Sequence, residues 1–259
     1  MNNIRHQTIS LRILYFGTQN SFSLPPLLAL LRAGQHVVGL VIPENPQQSE
    51  LGANTFKLLP AATNDTIVSI ARTHGIPVWT LSSLPAMLEF ELLVVACFPK
   101  RIPQSLLNQG EVASLNIHPS LLPKYRGPAP LFWQLRDGMR EIGVTLHHVT
   151  SQIDGGNIVT QTKVALPTGI SGSAADELLA SAGTDMLLDT IQSGDYSGRS
   201  QSGPESYHSW PRVLDWNVPT YWKVLHAFNF MRGVSEWGQS FKLLAYPKTL
   251  TARDASDFT

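Results

Sequence analysis

The sequence contains a single cysteine, no long apolar run and no excess of charge of either sign. The one cysteine, Cys97, excludes an intrachain disulfide bond and fits a reducing compartment. No apolar run approaches the ~20 residues that a membrane-spanning helix needs. Nineteen Lys and Arg balance nineteen Asp and Glu, so the overall charge gives no reason to expect nucleic acid or an acidic membrane as a partner. The first residues also lack the regions of a signal peptide, and we expect a cytoplasmic protein that does not bind membranes.

The glycine pattern that holds dinucleotide phosphates is missing as well. The apolar segment 11–16 is typical of a buried strand, and the turn that follows it reads Gly17-Thr-Gln-Asn-Ser-Phe22. This turn has no G-x-G-x-x-G motif, so a backbone cradle for a pyrophosphate is not expected. The absence argues against a nicotinamide-dependent dehydrogenase.

Apolar segments typical of buried strands alternate along the chain with segments of helical periodicity. We expect strands at 36–42, 76–79, 91–97 and 112–117, and helices that begin at Ser23 and near Asn64. This alternation predicts an α/β fold with a Rossmann-like, doubly wound, mostly parallel sheet. Segments 141–149 and 158–166 are expected to extend the sheet in antiparallel fashion, and 172–193 to be a helix packed against it.

The composition divides the chain into three predicted parts. Residues 1–194 are expected to form the α/β domain. Residues 195–211 are rich in Ser, Gly and Pro and are interpreted as a linker. Residues 212–259 are expected to form a short C-terminal appendage.

An amide and an imidazole stand two residues apart where the apolar segment 112–117 ends. Asn116 and His118 open the string Asn-Ile-His-Pro-Ser-Leu-Leu-Pro-Lys-Tyr-Arg-Gly, and Asp154 follows in the turn Gln-Ile-Asp-Gly-Gly-Asn. Side chains at i and i+2 of a strand share a face, so both should lie at the carboxyl edge of the sheet, where open α/β sheets bind ligands. Alone, Asn116 and Asp154 are typical of turns. Together, an amide donor, an imidazole and a carboxylate supply what acyl transfer to an amine requires.

This string, with its distal Asp-Gly-Gly, resembles the folate-dependent formyltransferases, and among them the methionyl-tRNA formyltransferase branch most closely. The resemblance implies the formyltransferase fold and 10-formyltetrahydrofolate as the formyl donor, with neither a metal nor a covalent intermediate. It also implies catalytic roles for three residues. Asn116 would hold the oxyanion, His118 would donate or relay a proton, and Asp154 would orient His118, raise its pKa or act through water.

Residues 94–103 occupy the position of the family's pterin pocket, where an apolar loop packs against the flat ring. Cys97, Phe98 and Ile102 are accordingly expected to bind the folate. Cys97 and Phe98 stand where an aromatic residue followed by glycine is usual, and a plain strand-to-helix loop is the alternative interpretation. For the Cys97 thiol, a buried core position is expected rather than nucleophilic catalysis.

Ser120, Lys124 and Arg126 resemble the acceptor-side loop of the family. Ser120 is expected to support that loop by a hydrogen bond, and the two cations would suit an acceptor that carries phosphate. A solvated loop charge is the alternative for Lys124. His147 and His148 are neighbours on an expected strand, so they face opposite sides and cannot chelate one metal ion. We expect one at the surface and the other half-buried.

The resemblance leaves the identity of the acceptor open. The closest branch implies a primary amine, in particular initiator methionyl-tRNA. Where that branch carries a basic loop, residues 43–52 contain two Glu and no Lys or Arg. Residues 212–259 are expected to be a truncated remnant of that branch's C-terminal barrel. An amino sugar linked to a nucleotide is therefore the alternative acceptor, and hydrolysis of 10-formyltetrahydrofolate the alternative reaction.

Overall fold

The computed structural model describes residues 10–44, 66–245, 248–252 and 255. Most of the segment 43–52, which bears on the choice of acceptor, lies outside the described residues. The same holds for Asn64, near which a helix is expected to begin. No helix in the described part of the chain is long and apolar enough to cross a membrane.

Seven strands form the larger sheet. In chain order they are β1 (Arg12–Gly17), β2 (His36–Val41), β3 (Val78–Trp79), β4 (Leu92–Ala96), β5 (Ala113–His118), β6 (Glu141–His148) and β7 (Ile158–Ala165). Their order across the sheet is β3-β2-β1-β4-β5-β6-β7. The first five pair in parallel, whereas β6 and β7 are added in antiparallel orientation. The predicted doubly wound, mostly parallel sheet is confirmed.

Helices connect these strands and cover the sheet. They are α1 (Leu24–Arg32), α2 (Ile67–Thr73), α3 (Gln104–Leu107), α4 (Pro130–Arg136), α5 (Gly172–Ser193) and α6 (Val224–Val234). Helix α2 is capped by Thr66, whose hydroxyl accepts from the Ser69 backbone N–H at 3.1 Å. Helix α5 has the predicted bounds and ends at Gly194, whose φ of +69° suits a glycine C-cap.

The side chains of β1 show how the sheet is buried on both faces. Ile13 and Tyr15 pack into the cluster that includes α1 and α5, whereas Leu14 and Phe16 pack into a second cluster on the opposite face. All four side chains are fully buried. Burying a side chain of this kind contributes about 1.5–3 kcal/mol, which explains why the central strands read as continuous apolar runs.

The strand order reverses between β1 and β4, and this switch point is where open α/β sheets bind ligands. In the turn after β1, the Thr18 N–H donates to the Ser23 hydroxyl at 3.0 Å, and the Ser23 N–H donates to Oδ1 of Asn20 at 2.9 Å. These two backbone donors are therefore occupied by side chains of the turn itself. The arrangement fits the missing phosphate-binding glycine pattern.

The chain after α5 packs back onto the α/β core. Strands β8 (Asn217–Pro219), β9 (Phe241–Ala245) and β10 (Lys248–Ala252) form a second sheet in the order β10-β9-β8. The ring centroid of Phe132, on α4, lies 5.1 Å from that of Trp216, just before β8. It lies 5.3 Å from that of Phe230, on α6. Aromatic contacts of this kind join the C-terminal residues to the helix that follows the β5 loop.

Candidate active site

A cavity of about 530 Å³ opens at the carboxyl ends of β4 and β5, beside the switch point of the sheet. The turn after β1 contributes Asn20 to its lining, and the residues after β4 contribute Cys97 and Phe98. Strand β5 contributes Asn116 and His118. The cavity therefore lies at the edge of the sheet where the sequence predicts the ligand to bind.

Strand β5 holds Asn116 and His118 on one face, as the i and i+2 spacing predicts. In the antiparallel pairing of β5 with β6, Asn116 lies directly opposite His147. The side-chain amide nitrogen of Asn116 is 3.0 Å from Nε2 of His147. His118 is 4% exposed and His147 is 2% exposed, so both imidazoles lie in a largely water-free environment.

Asp154 completes the group from the turn between β6 and β7. Its Oδ2 accepts from the Gly127 N–H at 2.8 Å, and its Oδ1 lies 3.4 Å from the Asn116 amide nitrogen. The same Oδ1 is 3.6 Å from Nδ1 of His118 and 3.7 Å from Nε2 of His147. The backbone of Asp154 has a φ of +48°, which is uncommon outside glycine and marks a conformation held by its surroundings.

The hydrogen bonds fix the tautomer of His118. Its Nε2 is 2.9 Å from the Tyr125 carbonyl oxygen, and because a carbonyl only accepts, Nε2 carries the proton. Burial lowers the pKa of His118, and this effect exceeds the opposing one of the Asp154 carboxylate. At neutral pH the imidazole is therefore neutral, with the lone pair of Nδ1 on the side of Asp154.

Asp154 is held as a carboxylate. Burial alone would raise its pKa, but the positive charge of His118 in its protonated form, the contact with His147 and the hydrogen bond from Gly127 outweigh burial and lower that pKa below the ordinary range. A permanent negative charge beside Nδ1 of His118 would stabilise that imidazole once it accepts a proton. The group can accordingly take up a proton and release it again during one reaction.

His147 is a member of this group that no sequence motif points to. One of the two adjacent histidines was expected at the surface and the other half-buried; instead His147 is fully buried and His148 is half-buried. Nδ1 of His147 donates to the His148 carbonyl at 2.8 Å, which leaves Nε2 to accept from Asn116. The cross-strand register of β5 and β6 could have identified it.

The three residues expected to bind the folate all line the cavity. Phe98 packs edge-to-face on Phe16 at 5.1 Å, and Ile102 joins the same apolar cluster. Cys97 lies just beyond β4 and is half-buried, with a φ of +60°, rather than forming part of the strand core. Its Sγ is 2.9 Å from the Asn20 amide nitrogen, and burial raises the pKa of the thiol, so a thiolate nucleophile is not favoured.

The residues expected on the acceptor side lie around the β5 loop but not in the cavity wall. Ser120 is fully buried, and its hydroxyl donates to the Lys124 carbonyl at 2.7 Å, the loop support that the sequence suggests. Lys124 is exposed. The Arg126 guanidinium forms an ion pair with Glu205 at 2.7 Å and is therefore already partly neutralised. Ser120, Lys124 and Arg126 are not among the residues that line the cavity.

The segment 199–210, expected to belong to a linker, is hydrogen-bonded across the two loops of the site. Gln201 donates to the carbonyls of Asp154 and Gly156, both at 2.7 Å. Its side-chain oxygen accepts from the Arg126 guanidinium at 2.7 and 3.2 Å. Further along, the His208 N–H donates to the Arg126 carbonyl at 2.9 Å. One glutamine thus ties the turn that carries Asp154 to the loop after β5.

Gln201→Ala is expected to lower kcat by at least ~10-fold, because a small displacement of Asp154 is costly to a positioned reaction. Binding of a ligand in the cavity should change little, since Gln201 does not line it. Gln201→Glu should not restore kcat, because a carboxylate cannot donate to the two carbonyls. Gln109→Ala, at an exposed glutamine, is the matched control. Full kcat in Gln201→Ala would contradict this assignment.

Among the described residues, no three His, Cys, Asp or Glu side chains are grouped so as to hold a metal ion. The chemistry of the group around Asn116 is that of hydrogen bonding and proton transfer. These properties match the acyl-transfer chemistry expected from the sequence.

Comparison with known proteins places this site in a family. The family model described as "Formyl transferase" matches residues 11–191, which span the whole of the seven-stranded sheet. The chain belongs to the formyl transferase family. The resemblance seen in the string after β5 is thereby confirmed.

Individual members of the formyl transferase family show how far the similarity extends. A methionyl-tRNA formyltransferase of Synechococcus sp. (strain JA-3-3Ab) is 34% identical over 194 residues, which cover 70% of this chain and 57% of that protein. The methionyl-tRNA formyltransferase of Synechococcus sp. (strain JA-2-3B'a(2-13)) is 31% identical over 238 residues, covering 83% of this chain and 70% of that protein. The matches thus span 57% and 70% of the length of these two relatives.

The fold agrees with that of solved formyl transferases. The crystal structure of an N-formyltransferase from Helicobacter canadensis, in complex with folinic acid and dTDP-3-aminofucose, gives a TM-score of 0.62. The two proteins are 18% identical, and the match covers 85% of this chain and 81% of the other. At this level of identity the similarity establishes the fold.

Proposed function

We propose that this protein transfers a formyl group from 10-formyltetrahydrofolate to a primary amine. The observation that carries the proposal is the convergence of Asn116, His118 and Asp154 in the cavity, with Oδ1 of Asp154 3.4 and 3.6 Å from the other two side chains. The amine nitrogen attacks the formyl carbon, the carbonyl oxygen becomes an oxyanion, and the bond to the folate nitrogen breaks. Each of the three residues has one role in this reaction.

Asn116 stabilises the oxyanion. Its amide nitrogen offers two N–H donors, of which one is bound to His147 at 3.0 Å and the other makes a long 3.4 Å contact with Asp154. The weaker of these contacts is the one that an oxyanion can replace. A neutral donor in a site that excludes water is well suited to this charge.

His118 moves the proton. Its neutral imidazole accepts a proton at Nδ1 from the amine that has attacked, and the carboxylate of Asp154 stabilises the resulting cation. The same proton then passes to the folate nitrogen as it leaves, which restores the neutral imidazole. Because Nε2 stays bonded to the Tyr125 carbonyl, the ring keeps its orientation throughout.

The donor binds at the end of the cavity formed by Phe98 and Ile102. An apolar wall of this kind suits a flat pterin ring. The complex of the Helicobacter canadensis N-formyltransferase with folinic acid supports a folate in this fold. We further infer that the folate-binding and catalytic unit is 1–194, that 195–211 spans the site, and that 212–259 is an appendage. A cytoplasmic location stays a prediction.

Methionyl-tRNA is the first acceptor to consider, because the two curated relatives are methionyl-tRNA formyltransferases. A nucleotide-linked amino sugar is the second, and the charges around the cavity favour it. Lys100, which lines the cavity, is paired with Glu44, and Arg126 is paired with Glu205. Among the described Lys and Arg that line the cavity, Arg101 is then the one without an ion pair, and a single cation suits a short diphosphate better than a long phosphate backbone.

One assay tests both the reaction and the acceptor. The protein is incubated with 10-formyltetrahydrofolate and, in separate arms, with methionyl-tRNA, with nucleotide-linked amino sugars and with no acceptor. Formyl transfer to one of the amines at a rate well above the arm without acceptor is the expected result. Release of formate alone would identify a hydrolase, and no consumption of the donor in any arm would contradict the proposed function.

A further inference from the structure

The proposed reaction assigns no role to one carboxylate that lines the cavity. Asp176, on α5, lines the cavity together with Phe22, Trp210 and Trp237. These three aromatic residues belong to the apolar cluster that packs with α1 and α5, whereas Phe98 belongs to the cluster on the opposite face of the sheet. Asp176 therefore lies on the side of the cavity away from Phe98 and Ile102, next to Cys97.

Nothing in the described part of the chain neutralises this carboxylate. No hydrogen bond or ion pair of Asp176 occurs there, and the charged groups that act on it most strongly, Glu236 and Glu177, are themselves acidic. Glu236 is already bound to Ser173, whose N–H and hydroxyl lie 2.8 and 3.0 Å away. An uncompensated carboxylate against an apolar wall costs stability, and such groups concentrate at functional sites.

The charge state of Asp176 is poised near neutrality. Burial, followed by the nearby charges of Glu236 and Glu177, raises the pKa of Asp176 to about 7. The remaining titratable group that faces it is Cys97 beyond β4, whose own pKa is raised by burial and by Asp176. A carboxyl group with this pKa can exchange a proton with an α-amino group, whose pKa lies at about 7.7–8.0.

We propose that Asp176 binds the ammonium group of the acceptor and takes its first proton, an inference that rests on the proposed function. The indole faces of Trp210 and Trp237 suit the same cation. A proton passes from the ammonium nitrogen to the carboxylate oxygen, and the freed lone pair attacks the formyl carbon. The second proton, released after attack, goes to His118 and from there to the departing folate nitrogen, while Asp176 releases the first proton to solvent. The structure thus divides the cavity into a folate end and an amine end.

The test uses benzylammonium as a probe, because it carries a primary ammonium group that stays charged across the range, and an apolar ring. Its binding to the full chain, saturated with folinic acid, is measured by calorimetry between pH 6 and pH 8. A carboxylate with a pKa of about 7 should weaken binding about 10-fold as the pH falls across this range. Benzyl alcohol, which lacks the charge, should show no such dependence.

Variants assign the effect to one residue. Asp176→Asn should bind benzylammonium at least ~10-fold more weakly at pH 8 and without pH dependence, while Asp176→Glu should keep part of both. Asp189→Asn, which removes the same charge from an exposed position of the same helix, should behave as the unmodified protein does. Equal binding by Asp176→Asn, or no pH dependence in the unmodified protein, would overturn the inference.

The titration with folinic acid separates this inference from the proposed function. If folinic acid binds both the unmodified protein and Asp176→Asn, the folate site is intact, and a failure with benzylammonium counts against Asp176 alone. If folinic acid does not bind the unmodified protein, the proposed function itself fails. Thermal unfolding of each variant checks that the fold is retained.

Discussion

Alanine at Asn116, His118 or Asp154 is expected to lower formyl transfer by at least ~100-fold, the scale of losing an oxyanion donor or an acid–base group. The thermal midpoint should change little, because all three side chains line an existing cavity and their removal enlarges it without breaking the sheet. The measurement is kcat/KM together with thermal unfolding. Turnover like that of the unmodified protein in any one variant would remove that residue from its assigned role.

A matched set of variants separates charge from hydrogen bonding at Asp154. Asp154→Asn can still accept from the Gly127 N–H but has no charge to stabilise protonated His118. The Asp154 carboxylate raises the pKa of His118. Removing that charge should therefore shift to lower pH the part of the kcat–pH profile that the His118 imidazole sets. His148→Ala is the control, since Nε2 of this neighbour lies 2.8 Å from the Tyr196 carbonyl and the side chain makes no contact with Asp154.

Local pattern is sufficient to predict the sheet and the common face of Asn116 and His118 at its carboxyl edge. Apolar runs such as 92–96 can be buried only between two layers of helices, which is why a doubly wound sheet follows from them. The two-residue spacing of Asn116 and His118 fixes their common face without any tertiary information. Asp154 required the further step of the family resemblance, because an Asp before two glycines is also an ordinary turn residue.

The residues that escaped prediction depend on contacts between distant segments. His147 joins the site only because β6 pairs with β5 in one particular register, and the neighbouring His148 has the same local pattern. Gln201 lies in a segment whose Ser, Gly and Pro content predicts a linker, yet its four hydrogen bonds reach two separate loops. Composition indicates that such a segment has few apolar side chains to bury. It does not reveal that one of its side chains donates hydrogen bonds to the backbone of a distant loop.

Gly127→Ala is expected to lower kcat as much as alanine at Asn116, His118 or Asp154 does. Gly127 has a φ of +112°, and a Cβ there would lie 2.1 Å from the His208 carbonyl oxygen, closer than any real contact. The loop after β5 and the segment 199–210 would have to separate, and the hydrogen bond from the Gly127 N–H to Asp154 would be lost. We expect kcat to fall by at least ~100-fold, because a misplacement of about 1 Å already costs that much.

A second glycine of the same region provides the control for backbone strain. Gly203 has a φ of +97°, but a Cβ there would meet no atom within 4 Å. Gly203→Ala therefore carries the cost of an unfavourable φ, about 1–2 kcal/mol, without pushing the two segments apart. Its kcat should stay within about threefold of the unmodified value, since no group of the site has to move. If both alanine variants lose stability and activity to the same extent, backbone strain rather than the close approach of Gly127 to His208 is responsible.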